Sequence, residues 1–244
     1  MHRWKQQLQL MSKTVALIRQ GFTLVEMAVV LVIVGLMLGA LMIPLSGQMD
    51  QRNYSKVQSD MNEIREALIG YGLSHGYLPC PAKSASDGSE DRVGNTCNNR
   101  AGFLPWAELG VPKLDSWGHL YRYSVDLDYV DSTNKISLNE IEDITIWSRD
   151  SSGNPIKLTN MNAIPAAIVS FGKNGRHGFD NDGNQITDTS ATNVDEDTNG
   201  TGTTTFYSRD YTEVTTGGGE FDDVVIWLSP AIYLNRMVTA GQLP

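Results

Sequence analysis

The chain has 244 residues, of which 41% are hydrophobic and 19% are charged. This length is sufficient for one domain of moderate size together with a long additional helix. The formal net charge of -9 gives the protein an acidic surface, which disfavours nucleic acid as a partner.

The N-terminal region combines a basic leader with a long uncharged segment. Residues 1–21 contain four basic side chains and no acidic one, and they end at Gly21. Glu26 then precedes an uncharged run from Met27 to Met49, which is long enough to span a membrane. An ionised Glu in hydrocarbon is unfavourable by several kcal/mol unless a partner pairs with it. Cleavage after Gly21 would supply an α-amino group at Phe22, close in sequence to Glu26.

The hexapeptide at residues 21–26 resembles the cleavage signal of type IV pilins and type II secretion pseudopilins. In that family a prepilin peptidase cuts after the glycine and methylates the new N-terminal Phe. The resemblance implies that Gly21 and Phe22 are the processing residues and that Glu26 pairs with the N-terminal amine of a neighbouring subunit. It also implies three kinds of partner: homologous pilin or pseudopilin subunits, the prepilin peptidase and the inner-membrane assembly machinery.

Two other interpretations of the N-terminus stay open. A secretory signal would be cut at a small-residue site such as Leu38-Gly39-Ala40, and a plain signal anchor would not be cut. Neither interpretation explains why the acidic residue Glu26 lies at the start of the apolar segment. In the anchor and pilin interpretations the basic leader faces the cytoplasm. We therefore expect a single-pass inner-membrane protein with a periplasmic C-terminal domain, which by resemblance enters a periplasmic or extracellular filament.

Apolar residues at helical spacing continue beyond the uncharged run and predict an amphipathic helix. Together the two segments predict one helix from about Thr23 to about His75, interrupted at Gly35 and Pro44. The predicted organisation is a leader at 1–21, a transmembrane or filament-core helix at 22–49, an amphipathic half at 50–76 and a periplasmic globular domain at 77–244. The apolar stripe consists of Tyr54, Val57, Met61, Ile64, Leu68 and Tyr71.

Four segments rich in β-branched and aromatic residues predict strands at 119–125, 144–147, 166–171 and 224–228. We expect them to form one antiparallel sheet packed on the amphipathic helix. Ser229 and Pro230 suit the start of a last helix that ends near Gly241. The predicted fold class is α+β and pilin-like, with a long N-terminal helix, a small antiparallel sheet and a short C-terminal helix.

The C-terminal part resembles the major pseudopilins through short motifs, at residues 115–121, 170–175 and 221–227. A polar insertion at 184–219 separates the last two motifs. Major pseudopilins bind Ca²⁺ in the loop after the motif that corresponds to 170–175, although Asn174 stands here at an acidic position of that family.

Acidic residues concentrate in and around the insertion. Hard cations such as Ca²⁺ bind six to eight oxygen atoms, which Asp-rich loops containing Gly can supply. The candidate ligands are Asp180, Asp182, Asp222 and Asp223. The alternative is a solvated acidic surface without a cation.

The two cysteines, Cys80 and Cys97, can close one short loop. In an oxidising periplasm such a pair is expected to form a disulfide, for which the chain-entropy model gives about 3 kcal/mol. Two cysteines alone do not favour a metal site.

The sequence gives little evidence for an enzyme motif. Residues 72–76 fit the letters of the Gly-x-Ser-x-Gly elbow, but that motif needs a strand before Ser74 and a helix after it. We therefore expect a structural subunit of a type IV pilus or a type II secretion pseudopilus, not an enzyme. The alternative is a membrane-tethered periplasmic metal-binding protein or hydrolase.

Overall fold

The structure, a computed structural model, describes residues 21–133, 136, 144–159 and 164–243, with the side chains of 40–46 excluded. The predicted leader, apart from Gly21, lies outside these residues. The chain divides into two compact units with a boundary between Met49 and Asp50.

Five helices lie among the described residues: α1 (Leu24–His75), α2 (Trp106–Leu109), the 3₁₀ helix η1 (Leu127–Tyr129), α3 (Val194–Thr201) and α4 (Pro230–Thr239). The strands there are β1 (Arg92–Val93), β2 (Thr96–Cys97), β3 (Ala101–Phe103), β4 (Arg122–Val125), β5 (Thr145–Arg149), β6 (Pro155–Lys157), β7 (Ala166–Ser170), β8 (Thr205–Tyr207) and β9 (Val224–Trp227).

The long helix α1 has 52 residues and ends where the sequence predicts, before Gly76 with its positive φ of 86°. The single predicted helix is confirmed, and α1 does not end at Gly35 or Pro44. A proline removes one backbone hydrogen bond and need not end a long helix. No helix formed by the described residues combines the length and the apolar character needed to cross a membrane.

The main sheet has the strand order β3-β4-β7-β9, and every neighbouring pair is antiparallel. It contains three of the four predicted strands. The fourth, β5, lies instead in a second sheet of order β6-β5-β8, where it pairs in parallel with β8. The expectation of a single antiparallel sheet is therefore wrong, since the insertion supplies a partner strand. The predicted α+β fold class is confirmed.

Two apolar clusters lie on opposite faces of β7. Ile168 packs in the first cluster with the buried stripe of α1, of which Met61 and Leu68 are completely buried. Val169 packs in the second cluster with Ile146 of β5. Because β7 is covered on both faces, its sequence is continuously apolar from Ala166 to Val169 rather than alternating. Tyr54 departs from the predicted stripe, since its side chain is 48% exposed.

The insertion at 184–219 is a packed part of the domain and not only a loop. It contains α3 and β8, and Phe206 of β8 is completely buried. Asp195 on α3 is also completely buried and accepts two hydrogen bonds from Arg149, at 2.8 and 2.6 Å. This charge-assisted pair holds α3 against β5 and thereby fixes the neighbouring Glu196.

Candidate functional site

The N-terminal motif lies at the exposed start of α1. Gly21 is exposed, and so is 78% of the Phe22 surface, so the bond between them is accessible. Thr23 precedes the first helical residue, and its hydroxyl oxygen accepts the backbone N–H of Glu26 at 3.2 Å. The Glu26 carboxylate in turn accepts the backbone N–H of Thr23 at 2.9 Å. This reciprocal pair is a capping box.

The role of Thr23 is a finding of the structure that our sequence interpretation missed. A signal was present, because Thr followed three positions later by Glu is the pattern of a capping box. Within a single chain, therefore, the Glu26 carboxylate is bound by Thr23 of the same chain. Any partner from a second chain has to compete with this local contact.

A second candidate site is a group of three carboxylates between α3 and the start of β9. Glu196, Asp222 and Asp223 each offer one oxygen, and the three oxygens lie within 4.8 Å of one another. Glu196 is completely buried and Asp223 is 6% exposed. We call these three residues the acidic cluster.

Asparagine side chains supply several hydrogen bonds to the acidic cluster. Asn193 and Asn174 donate to the Glu196 carboxylate, and Asn199 donates to Asp223 at 2.8 Å. The amide oxygen of Asn174 instead accepts the backbone N–H of Arg176 at 2.8 Å. Asn174 therefore presents donors to the cluster, where a calcium ligand would present oxygen.

Two cluster oxygens are left without a hydrogen-bond partner within the described part of the chain: Oδ1 of Asp222 and Oδ1 of Asp223. Burial raises the pKa of Asp222 to about 7, and the nearby Glu196 carboxylate adds to this effect. Burial likewise raises the pKa of Asp223 well above its usual value. The cluster therefore favours an added positive charge, which a proton or a cation can supply.

The predicted set of metal ligands is only partly brought together. Asp222 and Asp223 are in the acidic cluster, whereas Asp180 and Asp182 are not. Asp180 accepts hydrogen bonds from the backbone N–H groups of Asp182 and Asn184, both at 2.9 Å, and so closes its own turn. The side-chain amide of Asn184, together with these backbone hydrogen bonds, lowers the pKa of Asp180. Glu196 takes the place that the sequence analysis assigned to Asp180 and Asp182.

The motifs at 115–121 and 170–175 meet in the fold and position the acidic cluster. The Asp115 carboxylate accepts a hydrogen bond from the Ser170 hydroxyl at 2.7 Å and from the backbone N–H of Trp117 at 2.9 Å. Gly172 follows with φ of +58°, and a Cβ there would overlap the carbonyl and carboxylate oxygens of Asp222. Only glycine therefore allows this close approach.

The remaining candidate residues, the two cysteines and Ser74, stabilise the fold. Cys80 and Cys97 form a disulfide that closes the loop carrying β1 and β2. Ser74 lies in the last turn of α1, where its hydroxyl donates to the carbonyl oxygens of Gly70 and Tyr71. This is the helix-end position expected for Ser74, without a preceding strand.

Together these features define an α+β protein with an exposed Gly-Phe junction directly before a capped, 52-residue helix. Residues 18–42 match the family model for the prokaryotic N-terminal methylation motif. The chain therefore carries the prepilin-type signal of type IV pilins and pseudopilins, and the predicted resemblance is confirmed. No curated protein and no solved structure matches the chain.

Proposed function

We propose that the protein is a structural subunit of a type IV pilus or a type II secretion pseudopilus. A prepilin peptidase cuts it after Gly21 and methylates Phe22, and the mature chain assembles through its N-terminal helix. The observation that carries this proposal is the methylation motif at residues 18–42, which contains Gly21, Phe22 and Glu26.

Before assembly, the segment at 22–49 anchors the subunit in the inner membrane, with residues 77–244 in the periplasm. Support comes from the uncharged run between Met27 and Met49 and from the exposure of apolar side chains along α1. Leu24 is 90% exposed, and Leu31 and Leu36 are each 70% exposed. Such a surface needs a cover of lipid or of neighbouring helices. In the filament the same side chains pack against the helices of other subunits.

Glu26 sets the register between subunits in this proposal. In the separate chain its carboxylate is held by Thr23. In the filament, the amine of Phe22 from a neighbour replaces these hydrogen bonds with a charged partner. A buried ion pair of this kind specifies an arrangement more than it adds net stability.

The test compares Glu26→Ala with Glu63→Ala, a change at another exposed glutamate on α1. Both variants should enter the membrane, but only Glu26→Ala should be depleted from filaments sheared off the cells. A membrane-tethered metal-binding protein or hydrolase does not need Glu26, so equal incorporation of both variants supports that alternative. A neighbouring gene for a secretin or an assembly ATPase would assign the system.

We also propose that the acidic cluster binds Ca²⁺. Its donors are carboxylate oxygens, which suit a hard cation, and two of them have no hydrogen-bond partner among the described residues. The bound ion would offset most of the negative charge of Glu196, Asp222 and Asp223 and join α3 of the insertion to the start of β9. The contrary outcome is an acidic surface that binds no cation. Calorimetric titration with Ca²⁺ and with Mg²⁺ separates these outcomes, because Mg²⁺ should bind more weakly to a site of this kind.

A further inference from the structure

A cavity of about 520 Å³ lies beside the first turns of α1 that belong to the second unit. Two of its rings are unusually accessible, since Tyr54 is 48% exposed and Tyr211 is 66% exposed. We call this cavity the aromatic groove. Its walls include three aromatic and three charged side chains: Tyr54, Trp117, Tyr211, Asp50, Lys173 and Asp222.

The side chains of the aromatic groove favour the binding of a positively charged group. Aromatic faces attract ammonium and guanidinium groups, and the attraction grows when the pair is shielded from water. The charged walls hold two carboxylates against one ammonium group. Lys173 is already bound to Asp50 at 2.7 Å, in an exposed ion pair that contributes little to stability. Because this pair is weak, an incoming guanidinium can replace Lys173 on Asp50 while it lies against the exposed tyrosine rings.

A side chain with the positive charge that the aromatic groove favours lies on the opposite side of α1. Arg52 is exposed and has no hydrogen-bond or ion-pair partner among the residues that the structure describes. It lies between Asp50 and Tyr54 in sequence, and about 160–200° from both around the helix axis. The groove and Arg52 thus occupy opposite sides of α1 at nearly the same height.

We propose that the aromatic groove of one subunit receives the Arg52 guanidinium of a second copy of this chain. Two different surfaces on opposite sides of one chain make a heterologous contact, which links many copies into a ring or an open chain instead of closing a dimer. The guanidinium stacks on the groove's aromatic rings and faces Asp50. This inference rests on the proposed function, because it requires that copies of the chain assemble.

Crosslinking in sheared filaments tests this contact directly. The full-length chain carries Arg52→Cys and Tyr211→Cys, while its two native cysteines are held in their disulfide. A bismaleimide about as long as an arginine side chain should give a ladder of covalent multimers. The matched control pairs Tyr211→Cys with Arg65→Cys, since Arg65 is another α1 arginine whose Nε lacks a partner within the described residues. The control should give no ladder.

A second readout is the incorporation of simple variants. Arg52→Ala should lower the fraction of chain found in filaments by about tenfold, whereas Arg52→Lys should retain most of it because it keeps the charge. If wild-type chain enters filaments but Arg52→Ala does so equally well and no ladder forms, this contact is refuted and the proposed function stands. A ladder from the Arg65 pair also overturns the contact. If wild-type chain is absent from filaments, both proposals fail.

Discussion

Replacing Asp222 by Asn should stabilise the folded domain when no cation is present. The Asp222 carboxylate lies beside Glu196 and Asp223, and its Oδ1 has no hydrogen-bond partner in the described part of the chain. An amide in its place carries no charge and can donate to Glu196. Its oxygen can still accept the backbone N–H of Asn174, as Asp222 does at 2.9 Å.

The stabilisation by Asp222→Asn should increase as the pH rises. The pKa of Asp222 is raised from 3.8 to about 7, so folding favours the protonated carboxyl. The stability contributed by this group is fully present below pH 3.8 and is lost as pH rises through about 7. A shift of about three pKa units corresponds to at most about 4 kcal/mol. The gain from Asp222→Asn should therefore be largest at pH 8 and small at pH 5.

Thermal unfolding of the compact unit Asp50–Pro244 provides the assay. With chelator at pH 8, Asp222→Asn should raise Tm by up to about 10 °C, since 1 kcal/mol corresponds to about 2–4 °C for a domain of this size. Ca²⁺ at a hundredfold excess over Kd should stabilise wild type by about 2.7 kcal/mol and the variant much less. Asp182→Asn, outside the acidic cluster, is the control and should change neither result. A wild-type Tm independent of pH, or a variant destabilised at pH 8, would refute the account of this cluster.

Three further predictions concern other parts of the chain. Replacing Cys80 and Cys97 by Ser should lower the unfolding free energy by about 3 kcal/mol, measured by urea denaturation, because the loop between them is no longer closed in the unfolded chain; no loss of stability would contradict a stabilising disulfide. Gly172→Ala should weaken Ca²⁺ binding, measured by calorimetry, because the added Cβ displaces Asp222; unchanged binding would disprove this placement. Thr23→Val should speed hydrogen exchange at the first-turn amides of α1 by roughly fivefold while Thr23→Ser does not, since the valine variant loses an N-cap; equal exchange in both would exclude the capping box.

The elements that sequence patterns predicted are those with strong local signals. The spacing from Val57 to Leu68 has the helical period, and Gly76 marks the end of α1. The strands β4, β7 and β9 are short, contain β-branched or aromatic residues and are bounded by turns. These signals depend on neighbouring residues alone, so they could be recognised without knowing the tertiary structure.

The features that were missed depend on contacts between distant residues. β5 leaves the main sheet because its parallel partner β8 comes from the polar insertion, where Ile146 is opposite Phe206. Glu196 looks like one of many solvated acids, and its burial follows from the ion pair between Arg149 and Asp195. Asp180 looks like a ligand but closes its own turn. Spacing in the sequence could not separate these outcomes.

The central claim is that the chain is processed at the Gly21–Phe22 junction. Intact-mass and N-terminal peptide analysis of the protein from native membranes tests it most directly. We expect a chain that begins with N-methylated Phe22, and we expect a bulky residue at position 21 to block its formation. A mature protein that begins at Met1, or one that begins after Ala40, would contradict the claim that the chain is a processed filament subunit.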